Sequence, residues 1–216
     1  MATNEAALLF QNTALISIQN GSLIDVEIHP NADPRTLRLY LLGAAFSILL
    51  QQRGLLVLHG SALAINNAGV CFVGDCGAGK STTAAAFHSR GHRLLTDDIV
   101  AITSPNSNPQ ILPAFPHLRL CPDALDNLGA SQDSLPLVHP DELKRLRPAH
   151  QQFSPPHSSP LKRIYALDFS DRLQITPLLP QEAFLVLLKF SFTARLLNRM
   201  SAAPLHLQQS TQLINQ

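Results

Sequence analysis

Three observations predict an α/β fold, a mixed sheet with flanking helices. Residues 74–81 read GDCGAGKS and satisfy the phosphate-loop pattern G-x-x-x-x-G-K-[ST] at every fixed position. An apolar, β-prone run, Gly69-Val70-Cys71-Phe72-Val73, leads into that loop, and a helix opens from Ser81 through Phe87. A further apolar strand carrying two adjacent carboxylates, His92 to Ile102, follows the helix. Strand, glycine loop, helix and strand in succession are how an α/β sheet presents a helix N-terminus to an anion.

The loop residues have separate tasks. Gly74, Gly77 and Gly79 let the backbone turn so that successive N–H groups point inward at a phosphate. Asp75, Cys76 and Ala78 fill the variable positions, and Thr82 follows in the helix. Lys80 reaches the β- and γ-phosphates, while the Ser81 hydroxyl can sit on Mg²⁺. Residues 74–82 are therefore the expected nucleotide contacts, with ATP and Mg²⁺ the expected cofactors. Cys76 lies among these groups and should react faster than Cys71 in the preceding strand.

The remaining elements follow in chain order. Residues 15–19 and 23–28 flank Asn20-Gly21, a hairpin signal. Asp33 can cap a helix with Pro34 at its first position, and its apolar face runs through Leu37, Tyr40, Leu41, Ala44 and Ile48 to a stop at Gly54. Residues 55–65 form a strand that turns at Asn66-Asn67-Ala68-Gly69 into the loop strand, a tight antiparallel entry. Beyond Ile102, a turn covers residues 104–109 and a short helix runs from Pro122 to a glycine stop at Gly129. Residues 147–160 read as a loop, and residues 162–168 as a strand with a hairpin partner at 173–177. An amphipathic helix follows from Gln181 to Met200, then a polar tail over 205–216.

Composition narrows the function classes. With 216 residues, 45% apolar and 14% charged, the chain suits one packed domain with a small appendage: residues 1–54, then 55–216. A net charge of +1 supplies no basic field for nucleic acid. Leu39 to Leu50 is too short to span a bilayer, no signal peptide is evident, and three unpatterned cysteines suit a reducing compartment. A cytoplasmic protein without nucleic-acid or membrane partners is the expectation, with self-association left open. His88 and His92 stand four apart, but Gly91 separates them and no third metal ligand is near.

Asp97 and Asp98 stand 17 and 18 positions after Lys80. In a regular strand they point to opposite faces, so one can take a proton from an attacking hydroxyl while the other serves the metal. His59-Gly60, the hairpin, GDCGAGKS and RGHRLLTDDIVAI in that order resemble the HPr kinase/phosphorylase catalytic domain, and also its stand-alone relatives. The resemblance covers residues 55–102. It implies a P-loop kinase of the phosphoenolpyruvate-carboxykinase-like type, acting on a serine of a protein or peptide. Within it Asp97 matches the general base, Asp98 the metal-side acid, His59 a histidine lining the phosphate pocket, and Lys80 and Ser81 the phosphate and metal positions. Two departures qualify it. The family's E-x-R-G-x-G segment is missing, which removes the basis for the reverse, phosphorylase reaction, and the family's separate N-terminal domain has no counterpart. Relatives also continue further, so the domain is expected to be short at its C-terminus, with a sheet edge exposed. Arg119 is a candidate for neutralising phosphoryl charge, with a plain surface arginine as the commoner alternative, and Lys162 and Arg163 enter a strand where either could face phosphate although such charges are usually solvated. A decayed nucleotide-binding regulator and a small-molecule kinase are the alternative readings.

Overall fold

The computed structural model describes residues 4–115, 117–149, 157–192 and 203–215. Its centre is a five-stranded mixed sheet closed on itself, in the order β10-β5-β4-β6-β7. β4 (Leu56–Ile65) and β5 (Ala68–Gly74) form the expected hairpin, with Asn66 and Asn67 at positive φ in the turn. β4 is buried along almost its whole length, as the apolar runs on either side of His59-Gly60-Ser61 require of a strand covered on both faces. β6 (Arg93–Thr103) lies antiparallel on the other side of β4, β7 (Gln110–Ile111) pairs with β6, and β10 (Ser159–Leu167) joins β5 in parallel and β7 antiparallel.

One expectation fails here. Residues 173–177 form no strand beside β10, although β7 pairs with β10 only at Ser159 and Pro160 and leaves the side of residues 162–167 away from β5 without a partner strand among the described residues. Leu173 and Ile175 instead stand exposed.

Helices cover both faces of the sheet. Within the closed sheet Leu58, Ala62, Cys71, Val73, Leu95, Val100, Ile102 and Ile111 pack with Leu187 of α5 (Pro180–Lys189). On the opposite face Leu63, Phe72 and Leu94 pack against Ala84 and Ala85 of α3 (Lys80–His88). Leu118 of β8 (His117–Leu120) and Leu125 of α4 (Pro122–Asn127) complete that second core, and β8 pairs with β9 (Arg145–Pro148). The helix expected over 181–200 ends at Lys189, and its remainder from residue 193 lies outside the described residues, as do residues 150–156 of the expected loop. The tail contains a helix, α6 (Ala203–Ile214), whose His206 and Ser210 are buried. His88 Nδ1 lies 3.0 Å from the carbonyl of His92, and no group of metal-ligating side chains forms among the described residues.

The N-terminal segment builds its own small sheet, β1 (Glu5–Phe10), β2 (Ala14–Gln19) and β3 (Leu23–Ile28), all antiparallel. β1 carries too little alternation to be read from sequence. Asn20 and Gly21 both take positive φ, as the hairpin signal requires. Asp33 caps α1 (Pro34–Tyr40) with 2.9 Å bonds from the Arg35 and Thr36 N–H groups. A π-helical turn, Leu41–Ala45, joins α1 to α2 (Phe46–Gln52), so the single helix expected here has an inserted turn. Ile16 and Ile18 meet Ala45 and Ile48 in a separate apolar cluster. No helix among the described residues is long and apolar enough to cross a membrane.

Candidate active site

The glycine loop leaves the end of β5 and enters α3 at Lys80. Gly77 and Gly79 take φ of +85° and +89°, where an L side chain would be strained, and a Cβ at Gly77 would meet nothing within 4 Å. Gly74 is needed for a different reason: its Cβ would lie 2.8 Å from the Leu167 carbonyl on neighbouring β10. Lys80 is buried, and its ammonium donates to the carbonyls of Gly74 and Asp75, both at 3.0 Å. Those bonds use two of its three hydrogens. Burial lowers its pKa, while the carboxylates of Asp97 and Asp98 are among the charges that raise it. An open glycine bend, a buried lysine with a donor to spare and a helix N-terminus are a donor set suited to polyphosphate.

β6 delivers the acids, and β4 faces them. Ser61 lies opposite Asp97 in the ladder and Gly60 opposite Asp98. The Ser61 hydroxyl donates to Asp97 Oδ1 at 2.5 Å, the Ser81 hydroxyl donates to the same oxygen at 2.9 Å, and the Arg119 backbone N–H donates to Oδ2 at 2.8 Å. Burial pushes the Asp97 carboxyl upward against the pull of these three bonds.

Asp98 departs from strand geometry. Its φ of +85° is rare for a non-glycine residue and is held beside a Thr96 hydroxyl bonded to the Ile99 carbonyl at 2.6 Å. The turn breaks the alternation expected of a regular strand, and both carboxylates converge on Arg119 rather than facing apart. Arg119 Nη1 donates to Asp98 Oδ2 at 2.8 Å, and His59 Nδ1 lies 3.4 Å from Oδ1 and 3.2 Å from the Asp98 carbonyl. Despite burial, the His59 hydrogen bond and the Arg119 guanidinium hold this carboxyl below the usual range. Asp97 and Asp98 are thus side by side but opposite in character.

His59 is fixed in turn. Its backbone N–H donates to the Phe190 carbonyl at 2.7 Å, and its ring meets Phe192 edge-on at 5.8 Å. The same segment brings Lys189 to the loop, where its ammonium pairs with Asp75 at 2.6 Å. Sequence reasoning offers Arg119 as a candidate for neutralising phosphoryl charge, with a surface arginine the commoner alternative, and misses Ser61 and Lys189. Ser61 carried a readable signal, being two residues from His59 on the same face of one strand. Lys189 carried none, because its position depends on how α5 docks. Lys162 and Arg163 lie elsewhere, beside a cavity of about 640 Å³ between β10, α5 and α6. The cysteines divide as expected, Cys76 exposed and Cys71 buried with its thiol pushed up to about 12.

Fold and site together define a mixed-sheet α/β protein organised around a strand–glycine loop–helix unit that faces an acid pair. Residues 53–117 match the family model described as HPr Serine kinase C-terminal domain. The HPr kinase/phosphorylase of Treponema pallidum (strain Nichols) is 43% identical over 53 residues, covering 24% of this chain and 17% of that protein. The enzyme of the same name from Limosilactobacillus reuteri (strain DSM 20016) is 41% identical over 68 residues, 29% of this chain and 21% of its own length. That from Thermoanaerobacter sp. (strain X514) is 36% identical over 70 residues, 30% and 23% respectively. The chain therefore spans about a fifth of the length of these curated relatives. Among solved structures, the Hpr(Ser) kinase/phosphatase from Coxiella burnetii aligns with 56% of this chain and 71% of its own, at 17% identity and a TM-score of 0.36.

Proposed function

We propose that this chain is an ATP-dependent kinase, cytoplasmic, that transfers the γ-phosphoryl group to a serine hydroxyl of a protein or peptide. Residues 55–216 would form the kinase unit and residues 1–54 an appendage. The observation that carries the reading is the 2.9 Å bond from Ser81 to Asp97, which ties the glycine loop to the acid pair. In phosphate-loop enzymes a loop hydroxyl and a strand acid together serve the metal. The loop of residues 74–82, Lys80 above all, would hold the phosphates; Ser81 and Asp97 would hold Mg²⁺, which neutralises charge on the transferred group.

The two acids exchange the roles that the resemblance implies. Both Asp97 oxygens are committed, to Ser61, Ser81 and the Arg119 N–H, which suits a metal-side acid better than a base. Asp98 is ionised through neutral pH and lies beside the more exposed His59. We assign Asp98 as the acceptor of the serine proton as the Oγ–P bond forms and the bond to the departing ADP breaks. Its low basicity is tolerable because the transition state is loose and most of the catalysis is positioning and charge neutralisation. His59 and Arg119 fix its carboxylate. The forward reaction alone is proposed, since the E-x-R-G-x-G segment is missing.

The test is to incubate the purified protein with Mg²⁺ and γ-labelled ATP in an extract of its source. Label on a polypeptide, recovered as phosphoserine, supports the reading; label confined to small metabolites overturns it. Asp98→Asn should lower transfer about 10²-fold or more at saturating Mg²⁺, while Asp97→Asn should raise the Mg²⁺ concentration needed. Identical Mg²⁺ titrations for the two variants would show that the division between the acids is wrong.

A further inference from the structure

Lys144 belongs to no sequence motif, yet the fold brings it to the site. β9 begins one residue later and pairs antiparallel with β8, Arg119 lying opposite Leu146. Directly opposed residues share a face, and the period of two assigns position 144 to the face of Leu146 and Arg119. That is the face whose guanidinium reaches Asp98. The charge of Lys144 acts on both Lys80 and Asp98, the two groups that bracket the phosphoryl path.

The backbone around Lys144 is held without its side chain. The Val138 N–H donates to the Lys144 carbonyl at 2.9 Å, the Leu146 N–H to the Pro136 carbonyl at 2.8 Å, and Arg145 Nη1 to the Leu135 carbonyl at 3.0 Å. No ion pair engages Lys144 among the described residues. Lys80, Arg119 and Lys144 therefore bring three cations to a site that holds two carboxylates, Asp97 and Asp98, of which Asp98 already pairs with Arg119. Like charges placed together repel unless an anion joins them.

We infer that Lys144 is a phosphate-binding residue that contacts the terminal, transferred phosphoryl group of the bound nucleoside triphosphate. This rests on the nucleotide reading above. Lys80 serves the β/γ bridge from the loop side, and Lys144 meets the γ-phosphoryl group from the β8–β9 side. It discriminates triphosphate from diphosphate, because only the former extends that far.

Calorimetric titration of the full chain with Mg·ATP and Mg·ADP tests this. Lys144→Ala should weaken ATP binding by about tenfold to a hundredfold, the worth of one hydrogen bond to a charged group, with ADP affinity unchanged. Lys144→Arg keeps the cation and should recover most of the preference for ATP. Wild-type protein that binds both nucleotides, with the alanine variant keeping the same ATP-to-ADP ratio, overturns the Lys144 assignment alone. An equal loss of both nucleotides in the alanine variant overturns it as well, since a structural role predicts that result. Wild-type protein that binds neither nucleotide overturns the nucleotide reading, and this assignment with it.

Discussion

The region from β4 to β8 and the region from β10 to α6 use their side chains in opposite ways. In the first, polar groups are paired inward: Ser61, Ser81, Asp97, Asp98, His59 and Arg119 bond to one another around a nearly continuous buried strand. In the second, apolar side chains face outward, Phe169, Leu173, Ile175, Leu179, Leu185 and Leu207 among them. The later region closes the sheet through β10 and reaches the site through Lys189 and the Phe190 carbonyl. Chemistry is concentrated where a local motif dictates structure, and the remainder supports it at long range.

Lysines from the two regions give the largest expected contrast. Lys80→Ala should reduce phosphoryl transfer by about 10²- to 10³-fold, as loss of a buried, preorganised donor does. Lys189→Ala removes an exposed pair with Asp75 and should change turnover no more than about fivefold, the upper range for a surface ion pair. Steady-state rates at saturating Mg·ATP decide it, and equal losses would mean that α5 belongs to the catalytic centre.

Stability gives the next contrast. Leu58 is fully buried in β4 and Leu173 fully exposed. Leu58→Ala should cost about 2–5 kcal/mol of unfolding free energy, and Leu173→Ala less than about 0.5 kcal/mol, both read from urea denaturation. A large loss at Leu173 would show that the later region buries more in solution than its exposed surface implies.

The smallest effect concerns pH. Asp98 is held below its ordinary value of 3.8, so the stability it contributes is complete above that value and disappears as pH falls through the lower folded-state value. Asp97 is raised, so its contribution is complete below 3.8 and fades as pH rises through its folded value. Denaturation of wild type and Asp98→Asn between about pH 7 and pH 3 should show a gap that is widest at neutral pH and narrows in acid. A constant gap would mean that Asp98 is not the ionised partner of Arg119.

The two regions also differ in how much of them the sequence reveals. GDCGAGKS, the hairpin before it and Asp97-Asp98 are legible because each feature depends on residues a few positions apart. His59 becomes legible once that series is recognised. The backbone turn at Asp98 is not, because a non-glycine residue at positive φ leaves no mark in composition. Lys144 and Lys189 stay hidden since their positions follow from register and helix docking. Residues 173–177 mislead in the other direction: alternating apolar residues look like a strand, yet they pair with none, and Leu173 and Ile175 stand exposed.

The order of pairing also bears on how the chain comes to be folded. β4 meets β5 through a tight turn and β6 across β5 and α3, so the strands that hold His59, Ser61, the glycine loop and both acids meet by shorter closures than the one β10 makes. β10 must find β5 from the far side of β8, α4 and β9, and as a parallel partner it cannot arrive by a hairpin. Longer closures carry more entropy and slow the search. During synthesis from the N-terminus, the ribosome completes the segment bearing the acids and the glycine loop before β10 exists. Nascent chains of this protein therefore gather their reactive side chains early and close the sheet last.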